Sequence, residues 1–291
     1  MKIIILLIFL LILTTILLLV FNCFKKDKFE NYKNCIAVLT KGYKNNSQYS
    51  DLIKRNEHIL NNCYKKLNYP DILIFHEGNI TLEQQNYIQS KTSKLPLKFI
   101  IVEFDYNRFN NIKEKTWKGK KGYKLMCDFW IDKFFKYTNS YKYLLRIDED
   151  CFISNCDNIF EIMNKNKLVY TYKIWEQDDD YVTKGLRDFS KNFLINNSIK
   201  SKNDFKTKIP SGPYTNVFAI DLEYFNNSNI IKKYIKEIID SNNILIYRWG
   251  DLPLWGEILQ MFVDKNKWGV NNTIKYYHGS HGRETFINYD N

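Results

Sequence analysis

The chain has 291 residues, 45% of them hydrophobic and 16% aromatic, so it can build a large core and does not have the composition of a disordered protein. Its 43 Lys and Arg residues against 32 Asp and Glu residues give a formal charge of +11, which would suit an anionic partner. The basic residues are scattered and form no basic arm, helix-turn-helix or zinc-finger pattern, so we expect no nucleic-acid partner.

The first segment of the chain is almost wholly apolar. Residues 3–21 contain only Thr14 and Thr15 as polar interruptions, and as a helix they would span roughly 28 Å, close to the thickness of a bilayer core. No small-residue cleavage site follows this stretch, as a signal peptide would require. We therefore expect a membrane anchor over residues 1–22, a tether over residues 23–34 and one folded domain over residues 35–291.

Two signals disagree on the side of the membrane that this domain occupies. Three lysines within residues 25–28 follow the anchor, and the positive-inside rule then favours a cytoplasmic domain. Glycosylation sequons favour a lumenal domain. The sequons begin at Asn45, Asn79, Asn196, Asn226 and Asn271.

The six cysteines form no metal-binding CxxC pair, so one or two disulfides, or none, are all compatible with the sequence.

Short apolar runs alternate with helical patterns along the domain. Strands are predicted over residues 35–41, 71–77, 95–104, 141–147, 168–174, 214–222 and 273–278, and helices over residues 51–67, 123–137 and 251–263. This alternation predicts an α/β fold in which a mixed sheet is flanked by helices. In such folds ligands bind beyond the carboxyl ends of the strands.

Three consecutive acids follow the strand predicted over residues 141–147. Asp148, Glu149 and Asp150 form a D-x-D arrangement, and in extended backbone the side chains of Asp148 and Asp150 would point the same way. Two carboxylates that converge suit Mn²⁺ or Mg²⁺ with a phosphorylated substrate. The alternative is a solvated surface turn.

Further candidates lie in the second half of the chain. Asp251 follows Arg248, Trp249 and Gly250 and would either cap the next helix or take part in chemistry. His278 ends a predicted strand beside a Gly-Ser-His-Gly loop, where it would be either a structural residue or a metal ligand.

Two basic features could contact phosphate. Arg283 is a candidate phosphate clamp. The segment over residues 117–124, WKGKKGYK, could hold a diphosphate or form a solvated loop. No P-loop, GxGxxG, HExxH or GxSxG motif occurs in the sequence, which argues against the common NTPase, dehydrogenase, zincin and hydrolase classes.

Six segments, taken in order, resemble the motifs of glycosyltransferase family 15, the fungal-type α-1,2-mannosyltransferases that use GDP-mannose. The order of the segments and the RWGD tetrapeptide are the specific parts of this resemblance, which runs from about residue 35 to the C-terminus. The segments are YPDILIFHEGNIT, GYKLMCDFW, YKYLLRIDEDCFISNCDNI, YTNVFAIDLEYF, YRWGDLPLWGEIL and IKYYH.

The resemblance implies a GT-A-like fold and a retaining, metal-dependent transfer of mannose from GDP-mannose to a glycan or glycoprotein acceptor. We further expect a single-pass type II membrane protein with a lumenal, Golgi-like catalytic domain. Mn²⁺ or Mg²⁺ would be held by Asp148, Asp150 and His278, and Asp251 would lie near donor and acceptor. The resemblance places Tyr123, Asn216 and Trp249 in the donor pocket, and Arg146 and Arg283 are further candidates for binding the donor.

One departure from the family pattern affects the mechanism. The carboxylate proposed as the family's nucleophile falls near Phe218, and a phenyl ring cannot attack a sugar. Either another acid substitutes, or the acceptor attacks from the same face as the departing diphosphate. A UDP-hexose-dependent transferase and an inactive glycan-binding or scaffold protein remain alternatives. The candidate acids are Glu176, Asp221 and Asp251.

Overall fold

A seven-stranded mixed sheet forms the centre of the fold in the computed structural model of this chain. Its strand order is β10-β6-β9-β4-β1-β2-β3. Strands β1, β2 and β3 pair in parallel, as do β6 and β10, whereas β9 is antiparallel to both β4 and β6. These strands are β1 (Lys33–Leu39), β2 (Asp71–His76), β3 (Leu97–Ile101), β4 (Tyr141–Ile147), β6 (Tyr170–Tyr172), β9 (Val217–Asp221) and β10 (Trp268–Val270).

Two smaller sheets lie beside the central one. One has the order β12-β11-β5 and the other pairs β7 with β8. The first carries the segment that directly follows the three acids, because β5 begins at Cys151. The strands are β5 (Cys151–Asn155), β7 (Trp175–Gln177), β8 (Ser211–Pro213), β11 (Lys275–His278) and β12 (Arg283–Glu284).

Ten α-helices of four or more residues occur in the part of the chain that the structure describes, from residue 33 onward. The helix α3 continues through a π-helical turn, Phe129–Lys133, into α4, and α1 ends in a similar turn, Leu60–Tyr64. The helices are α1 (Ser50–Ile59), α2 (Leu82–Lys91), α3 (Lys121–Asp128), α4 (Phe134–Tyr137), α5 (Ile159–Asn166), α6 (Leu186–Asn196), α7 (Leu222–Asn227), α8 (Asn229–Ser241), α9 (Asn243–Tyr247) and α10 (Asp251–Phe262).

The predicted mixed sheet flanked by helices is confirmed. Each strand and helix predicted from the sequence has a counterpart, although the structure shortens most of them by one to several residues at their ends. Buried aromatic rings fill the space between the central sheet and its helices; Trp130 on the π-helical turn after α3 lies against Phe75 of β2 and Phe218 of β9. This packing holds the helix that precedes β4 against β2 and β9, which lie on opposite sides of β4 in the sheet.

The structure describes Thr14, Thr15, residues 33–281 and residues 283–284. A compact unit starts at Asn34. The anchor predicted over residues 1–22 and the tether up to residue 34 fall almost wholly outside the described residues. Within the described part of the chain, no helix combines the length and the apolar character needed to cross a bilayer. The five cysteines described there are buried and unpaired: Cys35, Cys63, Cys127, Cys151 and Cys156.

Candidate active site

The three acids form a tight turn between β4 and β5. The amide of Cys151 donates to the carbonyl of Asp148 at 3.1 Å, which is the hydrogen bond of a four-residue turn. The prediction of extended backbone here was therefore wrong. Because the chain reverses at this point, the carboxylates of Asp148 and Asp150 lie in different surroundings.

Asp148 belongs to a network centred on Arg146. The guanidinium donates from Nε to Asp148 Oδ1 at 2.7 Å and from Nη2 to Asp148 Oδ2 at 3.1 Å. Its Nη1 donates to Asp251 Oδ2 at 2.6 Å. Trp130 covers the guanidinium at 4.4 Å. Burial raises the pKa of the Asp148 carboxyl, and the adjacent Arg146 charge opposes that rise.

Asp251 does not cap the helix that it begins. The N-cap of α10 is Gly250, and the structure records no side-chain capping hydrogen bond at this terminus. The carboxylate is nearly buried, with 6% of the side chain exposed, and accepts the hydrogen bond from Arg146. The capping alternative for Asp251 was therefore wrong, since its side chain turns towards β4.

Asp150 meets His278 on the other side of the turn. Strand β11 runs antiparallel to β5 with His278 opposite Cys151, which places His278 Nε2 3.3 Å from Asp150 Oδ2. The amide of Ser280 donates to the same oxygen at 3.1 Å. Burial opposes ionisation of Asp150, but the hydrogen bonds from His278 and Ser280 outweigh it and hold the pKa of this carboxyl well below its usual range.

The donor atoms at this point fit a divalent cation. One ligand atom each from Asp150, Cys151 and His278 lie within 4.8 Å of one another. A carboxylate and an imidazole suit Mn²⁺. Burial raises the pKa of the Cys151 thiol, whose sulfur accepts a hydrogen bond from Asn216. The hydroxyl of Tyr214 lies 3.2 Å from His278 Nδ1 and orients the ring.

Two of the three predicted metal ligands thus come together, Asp150 and His278, whereas Asp148 is held by Arg146. The carbonyl of Asn216, a predicted pocket residue, accepts from the amide of Asp148 at 2.9 Å. The side-chain oxygen of Asn216 accepts from the Tyr276 hydroxyl at 2.9 Å. Asn216 therefore fastens the acidic turn to β9 and β11.

Glu149 has a role that the sequence did not reveal. Its carboxylate accepts from the Thr40 hydroxyl at 2.6 Å and from the Tyr43 hydroxyl at 2.9 Å, which joins the end of β1 to the end of β4. A cavity of about 340 Å³ opens at this junction. Its lining is Leu39, Tyr43, Asp51, Met126, Trp130, Arg146, Asp148, Glu149 and Asp150.

Two other predicted pocket residues, Tyr123 and Trp249, do not line this cavity. Trp249 is 1% exposed and donates from Nε1 to the carbonyl of Lys184 at 3.1 Å, so it packs in the core. Tyr123 is 38% exposed, and its hydroxyl accepts from Arg248 at 3.1 Å. Strand β12 places the backbone of Arg283 opposite His278, but its side chain lies outside the described part of the structure.

The three acids proposed in place of the missing nucleophile occupy different places. Asp251 contacts Arg146. Glu176 lies on β7, and its charge adds to burial in raising the pKa of Tyr214, the residue that orients His278. Asp221 caps α7 at the opposite end of the sheet, where β9 pairs it with Tyr143 at the start of β4. The structure therefore does not bring Asp221 to the site.

The position expected to carry a nucleophile holds a buried ring. Phe218 lies opposite Arg146 in the pairing of β9 with β4, and its ring stacks on Tyr170 at 5.1 Å.

In the basic segment over residues 117–124, Lys124 is fully buried and donates to Glu114 at 2.8 Å. That lysine anchors the segment and does not point to a substrate.

No family model matches the chain. Two curated fungal proteins are among its relatives. The probable mannosyltransferase KTR4 of Saccharomyces cerevisiae is 26% identical over 182 residues, which cover 54% of this chain and 39% of that protein. The O-glycoside alpha-1,2-mannosyltransferase omh1 of Schizosaccharomyces pombe is 26% identical over 177 residues, covering 56% of this chain and 45% of omh1. The chain thus aligns with less than half of either relative.

Two solved structures share the fold. Core-mannan synthase A from Aspergillus fumigatus in its Mn/GDP form superposes with a TM-score of 0.73 at 21% identity, over 86% of this chain and 75% of that chain. The mannosyltransferase Ktr4p from S. cerevisiae in complex with GDP gives a TM-score of 0.71 at 20% identity, over 85% and 71%. The chain has a mixed α/β glycosyltransferase fold and is homologous to the fungal mannosyltransferases, which confirms its resemblance to glycosyltransferase family 15.

Proposed function

We propose that this chain is a metal-dependent mannosyltransferase of the GT-A type that uses GDP-mannose as the donor and a glycan as the acceptor. The observation that carries the proposal is the pair of Asp150 and His278, 3.3 Å apart, at the carboxyl end of β4. The pair lies beside a cavity of about 340 Å³. The related fold of core-mannan synthase A, solved in its Mn/GDP form, supports the choice of metal and nucleotide.

In this proposal Asp150 and His278 hold Mn²⁺ or Mg²⁺, with Tyr214 fixing the imidazole. The ion supplies charge neutralisation for a leaving diphosphate. The amide of Ser280 donates to the carboxylate of Asp150 and keeps it ionised and oriented, and the amide of Gly279 donates to the backbone carbonyl of Asp150. The cavity between β1 and β4 receives the nucleotide, where Tyr43 and Glu149 form one wall.

Among the candidate acids, Asp251 is the one we assign to the acceptor side. Its carboxylate is fixed by Arg146 at 2.6 Å, so it can orient an acceptor hydroxyl without moving. On β9, opposite Arg146 of β4, Phe218 offers no nucleophile. Attack of the acceptor from the face that the diphosphate leaves therefore accounts for retention better than a covalent intermediate at this position.

The placement in the cell is our inference from the sequence. We propose that residues 1–22 anchor the protein in a Golgi-like membrane as a single-pass type II protein, that residues 23–34 form the tether, and that the catalytic domain from residue 35 onward faces the lumen and acts on glycoproteins. The apolar stretch over residues 3–21 supports the anchor, and the five sequons support the lumenal side. Glycosylation at the sequons, seen as a mobility shift that an endoglycosidase removes, would establish the lumenal side. An unmodified protein whose catalytic domain is digested by protease added outside sealed microsomes would overturn it.

The test of the activity is a donor screen on the full-length chain. GDP-mannose should be turned over with Mn²⁺ and not with a chelator, and Asp150→Asn should lose that turnover. Asp240→Asn is a matched control, because Asp240 is 60% exposed and pairs only with Lys236 on the surface of α8. Turnover of a UDP-hexose instead of GDP-mannose would change the donor in our proposal. The absence of both turnover and Mn²⁺-dependent nucleotide binding would make the chain an inactive relative of the transferases.

A further inference from the structure

Two aromatic rings lie exposed together outside the cavity. Trp117 is 39% exposed and Tyr181 is 53% exposed, and Trp117 Nε1 donates to the Tyr181 hydroxyl at 3.1 Å. The two residues come from loops that are 64 positions apart in the chain. Paired exposed aromatic rings on a protein surface are a mark of ligand-binding sites.

A largely buried ion pair lies against one of these rings. The Arg248 guanidinium stacks on Trp117 at 4.3 Å, and its Nη1 donates to both carboxylate oxygens of Asp178, at 2.9 and 2.8 Å. The backbone of Trp117 has φ +47° and that of Arg248 has φ +70°. Bulky residues seldom adopt the left-handed region, and such conformations are concentrated at ligand-binding and catalytic sites.

The aromatic pair is connected to the acid that we assign to the acceptor. Asp178 Oδ2 lies 3.2 Å from the position that a Cβ on Gly250 would occupy, and Gly250 directly precedes Asp251. Arg248 also donates to the Tyr123 hydroxyl at 3.1 Å. Asp178, which holds Arg248 against Trp117, therefore lies beside the residue that precedes Asp251.

We infer that Trp117 and Tyr181 form a subsite that stacks against a pyranose ring of the acceptor glycan. This inference rests on the proposed function for the identity of the sugar. The apolar C–H face of a mannose ring would pack on the Trp117 indole, and the sugar hydroxyls would bind the Tyr181 hydroxyl and the Asp178 carboxylate. A flat aromatic surface with polar groups at its edge suits a hexose, which is apolar on its faces and polar at its rim.

The experiment measures binding of α-1,2-mannobiose to the full-length chain by saturation-transfer NMR and calorimetry, without donor. Trp117→Ala should weaken binding roughly tenfold, and Trp117→Phe, which keeps a ring, should restore part of it. Tyr181→Ala is the second variant and should weaken binding as well. Tyr69→Ala is the control, since Tyr69 is 58% exposed and precedes β2 at the opposite end of the sheet. Thermal unfolding of each variant reports its folding.

The outcomes separate this subsite from the proposed activity. Mannobiose binding that depends on both rings supports the subsite even if the donor screen shows no turnover, in which case the activity alone fails. A wild-type chain that does not bind mannobiose overturns the subsite, whatever its turnover. So does a folded Trp117→Ala or Tyr181→Ala variant that binds as well as the wild type does.

Discussion

Replacing Arg146 by methionine tests the network that holds the acidic turn. Methionine is similar in length and keeps the contact with Trp130, but it removes the positive charge between Asp148 and Asp251. In the native chain that charge lies 2.7 Å from one carboxylate and 2.6 Å from the other. The variant therefore leaves two carboxylates facing each other without a cation between them.

The expected loss of stability is large. Removing one partner of a buried ion pair costs about 3–5 kcal/mol. Asp251 is nearly buried, whereas 29% of the Asp148 side chain is exposed and can be hydrated, so we expect the lower half of this range. A loss of about 3–4 kcal/mol in the free energy of unfolding would lower the Tm of a domain of this size by roughly 10 °C.

The loss should depend on pH in a defined direction. Burial already raises the pKa of Asp148, and Arg146 opposes that rise, so the variant should have a still higher Asp148 pKa. A carboxyl whose pKa is higher in the folded state binds protons more tightly there than in the unfolded chain. The free energy of unfolding then falls as pH rises from the unfolded-state pKa, about 3.9, through the raised folded-state pKa. Arg146→Met should therefore recover part of its deficit between pH 7 and pH 5.

Urea unfolding at pH 7 and pH 5 measures both effects. Asp251→Asn is the matched control, because it removes one carboxylate and leaves Arg146 paired with both oxygens of Asp148. It should lose about 1.5–3 kcal/mol, the worth of one hydrogen bond to a charged group. The reasoning is refuted if Arg146→Met unfolds at the wild-type midpoint at pH 7, or if its deficit grows as the pH falls.

Three further substitutions test the packing and the backbone. Gly256→Ala should destabilise the fold although it lies inside a helix, because its Cβ would stand 1.8 Å from the carbonyl oxygen of Ser211; a higher Tm would contradict that close approach. Lys167→Gly should stabilise the chain by about 0.5–1 kcal/mol, because Lys167 ends α5 with φ +54°, and chemical denaturation will show whether the midpoint rises. Phe134→Ala should cost about 3–5 kcal/mol, since Phe134 is fully buried between aromatic rings; a loss below 1 kcal/mol in the same assay would show that this packing matters little.

The strands could be predicted because burial dictates their composition. The run over residues 141–147 is buried on both faces from Tyr143 to Ile147, and such strands read as continuous apolar segments. The helix over residues 251–263 was equally clear, since α10 is buried on almost every side. Strand β5 was missed because it is short and directly follows the acidic turn.

The arrangement of the acids could not be read from their spacing. Whether Asp148 and Asp150 converge depends on a single hydrogen bond, from the Cys151 amide to the Asp148 carbonyl. The partner of Asp251 is Arg146, 105 positions earlier. Local sequence patterns carry no information on such a pairing, which is decided by the way α10 packs against the sheet.

The network of Arg146, Asp148 and Asp251 gives a physical reason for a phenylalanine at position 218. It lies opposite Arg146 across the strand pair, and its ring is 5.8 Å from the guanidinium. A carboxylate at this position would be a third acid competing for one cation that already serves Asp148 and Asp251. With a phenyl ring there, Arg146 is covered by apolar rings and its hydrogen bonds go to the two acids that remain. The phenyl ring therefore leaves the hydrogen bonds of Arg146 to Asp148 and Asp251, in agreement with our proposal that Asp251 positions the acceptor and that no residue of β9 forms a bond to the sugar.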